Sequence, residues 1–184
     1  MKSIHLALAG LVTIAGTAAQ AQVGSISFSD IGTTTATPSG NINTATSFSM
    51  SEVINHSDGT GIFAGLGSQL FGTLSFTPQV ATSFSFSNPV FGSFASTEID
   101  LLSQAPGAVT YNILGLYNSG TFDGGAIVND LASYTENFIQ NPPSTGSIGD
   151  SATFSIPPVP EPGSLALLGL GIGAVGAHLR RRQA

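Results

Sequence analysis

Six short stretches of the chain alternate apolar residues with Ser or Thr at a period of two. They are Ser25-Ile26-Ser27-Phe28-Ser29, Ser47-Phe48-Ser49-Met50-Ser51, Thr73-Leu74-Ser75-Phe76-Thr77, Ser83-Phe84-Ser85-Phe86-Ser87, Val109-Thr110-Tyr111-Asn112-Ile113 and Ala152-Thr153-Phe154-Ser155-Ile156. Successive side chains of an extended strand point to opposite faces, so each stretch has one apolar face and one hydroxyl face, as half-buried antiparallel strands do. Turn formers punctuate them: Pro38-Ser39-Gly40, Ser57-Asp58-Gly59, Asn88-Pro89, Ala105-Pro106-Gly107, Asn118-Ser119-Gly120 and Asp123-Gly124-Gly125. Strands and turns in this arrangement predict an all-β fold, an antiparallel β-sandwich of jelly-roll or Ig-like type. The expected inward set is Ile26, Phe28, Phe48, Met50, Leu74, Phe76, Phe84, Phe86, Val109, Tyr111, Ile113, Phe154 and Ile156. At about 1.5–3 kcal/mol per buried large apolar side chain, this set supports one core. One stretch reads two ways: Ile127, Leu131, Tyr134 and Phe138 fall at helical spacing, whereas 134–139 also reads as a strand, and the strand is favoured.

Charge narrows the function. The four basic residues are Lys2, Arg180, Arg181 and Arg182, all at the extremities, and between Gln22 and Pro160 there is none. That stretch holds nine acids: Asp30, Glu52, Asp58, Glu98, Asp100, Asp123, Asp130, Glu136 and Asp150. Binding to nucleic acid needs Lys or Arg to neutralise phosphate, so nucleic acid is excluded as a partner. With no cysteine, the chain has no disulfide, no thiolate metal ligand and no cysteine nucleophile. Only 8% of residues are charged, against about a quarter in an ordinary globular domain. The polar surface is therefore built from Ser, Thr, Asn and Gln, as in exported proteins.

Both ends read as processing segments. Residues 1–21 follow the layout of a signal peptide, with Lys2, an apolar run and Ala19-Gln20-Ala21, which places cleavage after Ala21. Residues 22–156 form the extracytoplasmic domain. In 157–184, Pro157-Pro158-Val159-Pro160-Glu161-Pro162 is a stiff extended spacer, because proline fixes φ and lacks an N–H. The run 163–179 is apolar and just long enough for a transmembrane helix. Arg180, Arg181 and Arg182 follow at once, which holds that end in the cytoplasm and the domain outside. Five glycines in the run make it a weak permanent anchor.

The order of Pro160-Glu161-Pro162, a Gly- and Leu-rich span and a terminal arginine cluster resembles the PEP-CTERM sorting signal of Gram-negative bacteria. The resemblance covers only the C-terminal end. It implies that the tail is recognised by an exosortase, a membrane-embedded transpeptidase-like enzyme, after a signal peptidase has acted at the other end. The inner membrane is then a transient partner, and the protein is sorted to the envelope or released in a bacterium that makes exopolysaccharide. Bodies of such proteins are commonly Ser- and Thr-rich and often thought to be glycosylated.

Candidate chemistry in the body is sparse. His56 is its one histidine, so any Ser-His-Asp arrangement must use it, although a lone loop histidine is more often solvated surface. Asn55-His56-Ser57 fits the N-glycosylation pattern. Glu98 and Asp100 lie two apart on one strand face, as a glycosidase pair or, more simply, as charges guarding an exposed edge. Asp58, Asp123 and Asp130 sit in or near Gly-rich loops, which makes them weak calcium candidates; no other cofactor is indicated. The expectation is a non-enzymatic envelope or extracellular-matrix protein associated with exopolysaccharide or biofilm. The alternatives are a carbohydrate-binding or adhesive module, disfavoured by the absence of Trp and the presence of only three Tyr, and a secreted hydrolase.

Overall fold

A computed structural model describes residues 24–157. The predicted signal peptide and its cleavage point, the triplet Pro160-Glu161-Pro162, the apolar span 163–179 and Arg180 to Arg182 lie outside the described residues.

Each alternating stretch forms a strand. The strands are β1 (Gly24–Asp30), β2 (Thr34–Thr37), β3 (Ser47–Asn55), β4 (Leu70–Phe76), β5 (Ser85–Asn88), β6 (Gly92–Ala105), β7 (Ala108–Ser119), β8 (Asp130–Asn141) and β9 (Ser147–Ile156). Two short 3₁₀ turns, Gly61–Phe63 and Thr121–Asp123, lie between strands. The ambiguous stretch is strand, as favoured: β8 pairs with β7 and β9 along its whole length. Two strands carry no clear alternation of large apolar residues. β2 has only Ala36 to turn inward, and β6 loses phase at bulges between Ser96 and Glu98 and between Leu101 and Ser103.

The expected sandwich has two separate sheets, but hydrogen bonds join all nine strands into one antiparallel sheet, in the order β2-β3-β1-β9-β8-β7-β6-β5 with β4 also on β3. β1 and β2 take successive parts of one edge of β3, at Val53 to Asn55 and at Ser47 to Met50, and β4 takes the other edge. The sheet curls until its ends meet. The Asn88 side chain on β5 donates to the Leu70 carbonyl on β4 at 3.1 Å, and beyond β4 the Ser83 hydroxyl bonds both backbone groups of Thr77. Among the described residues no α-helix covers the apolar face of this sheet, and the sheet buries it by facing itself.

Every residue of the expected inward set is buried. The core is aromatic: Phe28 packs on Phe71, Phe86, Phe91, Tyr134 and Phe154, with centroids 5.0 to 6.4 Å apart. None of the 12 Phe and 3 Tyr of the chain is exposed. Gln140, 3% exposed, ties the strands to the loop before β3. Its amide donates to the carbonyls of Gly40 and Gly146, and its oxygen accepts the N–H groups of Ile42 and Ser144.

Candidate functional site

After β3 the chain continues alongside β1, with His56 N–H donating to the Ser27 carbonyl and Thr60 N–H to the Ser25 carbonyl, both at 2.8 Å. The hydroxyls of β1's outer face thereby meet the loop. Ser29 Oγ lies 2.8 Å from His56 Nε2. Asp58 does not continue this pair into a relay: Oδ1 accepts Ser27 N–H at 3.1 Å and Oδ2 accepts the Ser27 hydroxyl at 2.6 Å. That hydroxyl, ahead of any other cause, holds the Asp58 carboxyl below its ordinary 3.8. In a Ser-His-Asp relay the acid holds the second ring nitrogen of the histidine. Here Ser29–His56 and Ser27–Asp58 are two separate pairs on one exposed strand edge.

Burial removes the glycosylation pattern at Asn55. Its side chain is 0% exposed, donates to the His56 and Gly67 carbonyls and accepts Gln69 N–H, so no sugar can be attached in the folded chain.

The calcium candidates do not converge. Asp58 is bound to Ser27 on β1, whereas Asp123 lies in the connection from β7 to β8 and Asp130 opens β8. Asp123 Oδ1 accepts Gly125 N–H at 3.0 Å, and Asp130 pairs with Tyr117 at the start of β8. Among the described residues no group of three or more His, Cys, Asp or Glu side chains is placed to hold a metal ion. Glu98 and Asp100 are both exposed on β6. β5 covers only Gly92 to Ala95, so the strand beside the two acids pairs on one side alone. This is the geometry of a guarded edge.

Sequence reasoning passed over a third group of acids. Asp30, Glu136 and Asp150 are each in phase with core residues of their own strands: Ile26 and Phe28, Tyr134 and Phe138, Phe154 and Ile156. Alternation alone would have found them. Asp30 Oδ1 accepts the N–H of Gly32 at 2.7 Å and of Glu52 at 3.0 Å; Oδ2 accepts that of Ser51 at 3.1 Å. Burial opposes its ionisation, but these donors together with the Thr34 hydroxyl outweigh burial and keep its carboxyl below 3.8.

Glu136 stands in the opposite condition. It is 0% exposed, and neither carboxyl oxygen has a hydrogen-bond partner among the described residues. The Tyr134 hydroxyl and Asn137 N–H favour its charged form without meeting hydrogen-bond geometry, while burial and then the charge of Asp150 push it well above its ordinary 4.5. Asp150 is pushed up by burial and, against the pull of Thr34, by Asp30.

Among the described residues no helix is long and apolar enough to cross a membrane. No curated protein and no solved structure significantly matches the chain. Residues 158–182 match the PEP-CTERM protein-sorting motif, and this stretch contains Pro160, Glu161, Pro162 and Arg180 to Arg182 as expected from the sequence. On that match the chain carries a PEP-CTERM sorting signal, which implies processing by an exosortase and an exported, envelope-associated protein.

Proposed function

We propose that the β domain is a non-enzymatic component of the cell envelope or extracellular matrix, associated with exopolysaccharide or biofilm and delivered there through its C-terminal signal. In this reading a signal peptidase cuts after Ala21, and the span 163–179 tethers the precursor to the inner membrane until the exosortase acts. The observation that carries the reading is the sorting motif at 158–182.

The body supports a structural role in two ways. Stacking on sugar rings needs exposed aromatic faces, and every aromatic side chain here is buried or half-buried. That weighs against a lectin-like module. A Ser-His-Asp hydrolase needs the acid to orient the base, and Asp58 is spent on Ser27 rather than on His56.

Replacing Pro160, Glu161 and Pro162 by alanine tests the reading. The expected result is that the protein accumulates in the inner-membrane fraction and is lost from the outer surface and medium. An unchanged distribution contradicts it.

A further inference from the structure

The Thr34 hydroxyl lies between two carboxyls, 3.1 Å from Asp30 Oδ2 and 3.2 Å from Asp150 Oδ1. A hydroxyl has one proton to donate. Asp30 already accepts three backbone N–H groups, the surroundings of an ionised carboxylate, and is the natural acceptor of that proton. The contact with Asp150 then sets oxygen against oxygen unless Asp150 brings a proton of its own. Deeper in the core, Glu136 is fully buried with both oxygens unpartnered among the described residues. A buried carboxylate needs a counter-charge. Residues 24–157 contain no Lys or Arg, and no group of three acids among them is placed to hold a metal ion. The counter-charge that remains is the proton.

We propose that Asp150 and Glu136 are held as carboxylic acids and form, with Thr34 and Asp30, a proton latch that fastens β2 to β9 and releases as the pH rises. The groups that face one another are Asp30 from β1, Thr34 from β2, Tyr134 and Glu136 from β8 and Asp150 from β9; β3 meets Asp30 through the backbone N–H groups of Ser51 and Glu52. Tyr134 stays neutral throughout, because burial raises its hydroxyl well above its ordinary value.

The direction follows from linkage. An acid whose folded pKa is raised favours the fold at low pH, and that contribution is lost as the pH rises through the folded value. Ionisation of Asp150 sets two carboxylates, Asp30 and Asp150, against the one Thr34 hydroxyl, with no Lys or Arg among the described residues to answer them. β2 yields first, since its four residues pair only with β3. A cleft of about 420 Å³, lined by Thr34, Ala36, Gly40, Ser144 and Ile148, borders the latch and widens when β2 leaves.

The test uses the full chain in detergent, with the wild type compared with Asp150→Asn and Glu136→Gln from about pH 5 to about pH 9. In the wild type each titrating group shifts the unfolding equilibrium toward the unfolded state by up to about tenfold per pH unit. Each substitution removes one group's share. Amide protection at residues 34–37, corrected for intrinsic exchange, falls with pH in the wild type and falls less steeply in Asp150→Asn. Infrared spectra of the wild type near neutral pH show a protonated carboxyl band, a measurement that needs no variant to fold. A pH slope that both variants retain, stability that rises across the range, or absence of the band overturns the latch.

Discussion

Phe48 on β3 stacks on Phe138 of β8, with centroids 4.4 Å apart and rings 10° from parallel. The two strands are not neighbours in the sheet, so the stack is the curl expressed in one contact. Tyr111 and Phe76 complete the cluster around it, edge-on to each other at 5.4 Å. Phe138→Ala leaves a cavity where β8 faces the β3 and β4 end of the sheet and is expected to cost about 3–5 kcal/mol. Total stability of a domain is about 5–15 kcal/mol, so the urea midpoint drops steeply or folding is lost.

Gln140 uses both amide protons and both lone pairs of its oxygen on backbone groups. Gln140→Leu keeps the bulk but leaves the N–H groups of Ile42 and Ser144 and the carbonyls of Gly40 and Gly146 without these partners. A loss of about 1–3 kcal/mol is expected, with amide protection falling at residues 40–44 ahead of the strands. Hydrogen exchange with denaturant melts checks both parts.

Asp58 contributes with the opposite sign to the buried acids. Its depressed folded pKa gives stability that is present above the ordinary 3.8 and lost as the pH falls through the folded value. Asp58→Asn is therefore slightly less stable than the wild type at neutral pH and equal to it in strong acid. Chemical denaturation at the two pH values measures the difference.

Glu98 and Asp100 protect an edge that has Leu101 at 52% and Leu102 at 59% exposure. A bare apolar strand edge is a template for pairing with another chain. The double substitution Glu98→Val with Asp100→Val is expected to turn a dispersed protein into one that self-associates with little change in thermal stability. Sedimentation velocity over a concentration series reads the outcome.

Much of this fold was legible because its strands alternate cleanly. In Ser83-Phe84-Ser85-Phe86-Ser87, period two leaves one face of phenylalanine and one of hydroxyls, and burial follows that phase without exception. β2 was not legible, since Thr34-Thr35-Ala36-Thr37 has no large apolar residue to betray its inner face. β6 was hidden by its two bulges, each of which shifts later residues to the opposite face. Continuity of the sheet was equally out of reach, because alternation tells which side of a strand is buried and not which strand lies beside it. The acidic group could have been read: Glu136 lies two residues from both Tyr134 and Phe138, so a strand that buries those rings buries the carboxyl too. His56 and Glu98 are of catalytic residue types, and the structure leaves both on exposed surface.

Processing of the tail at residues 158–182 is recorded in the intact mass of the native protein. From cells with an active exosortase the expected mass lacks the hydrophobic and arginine-rich residues that follow Pro160-Glu161-Pro162, and those residues are retained when the exosortase is deleted. A mature protein that keeps Arg180 to Arg182 in cells with active exosortase rules out processing of the tail.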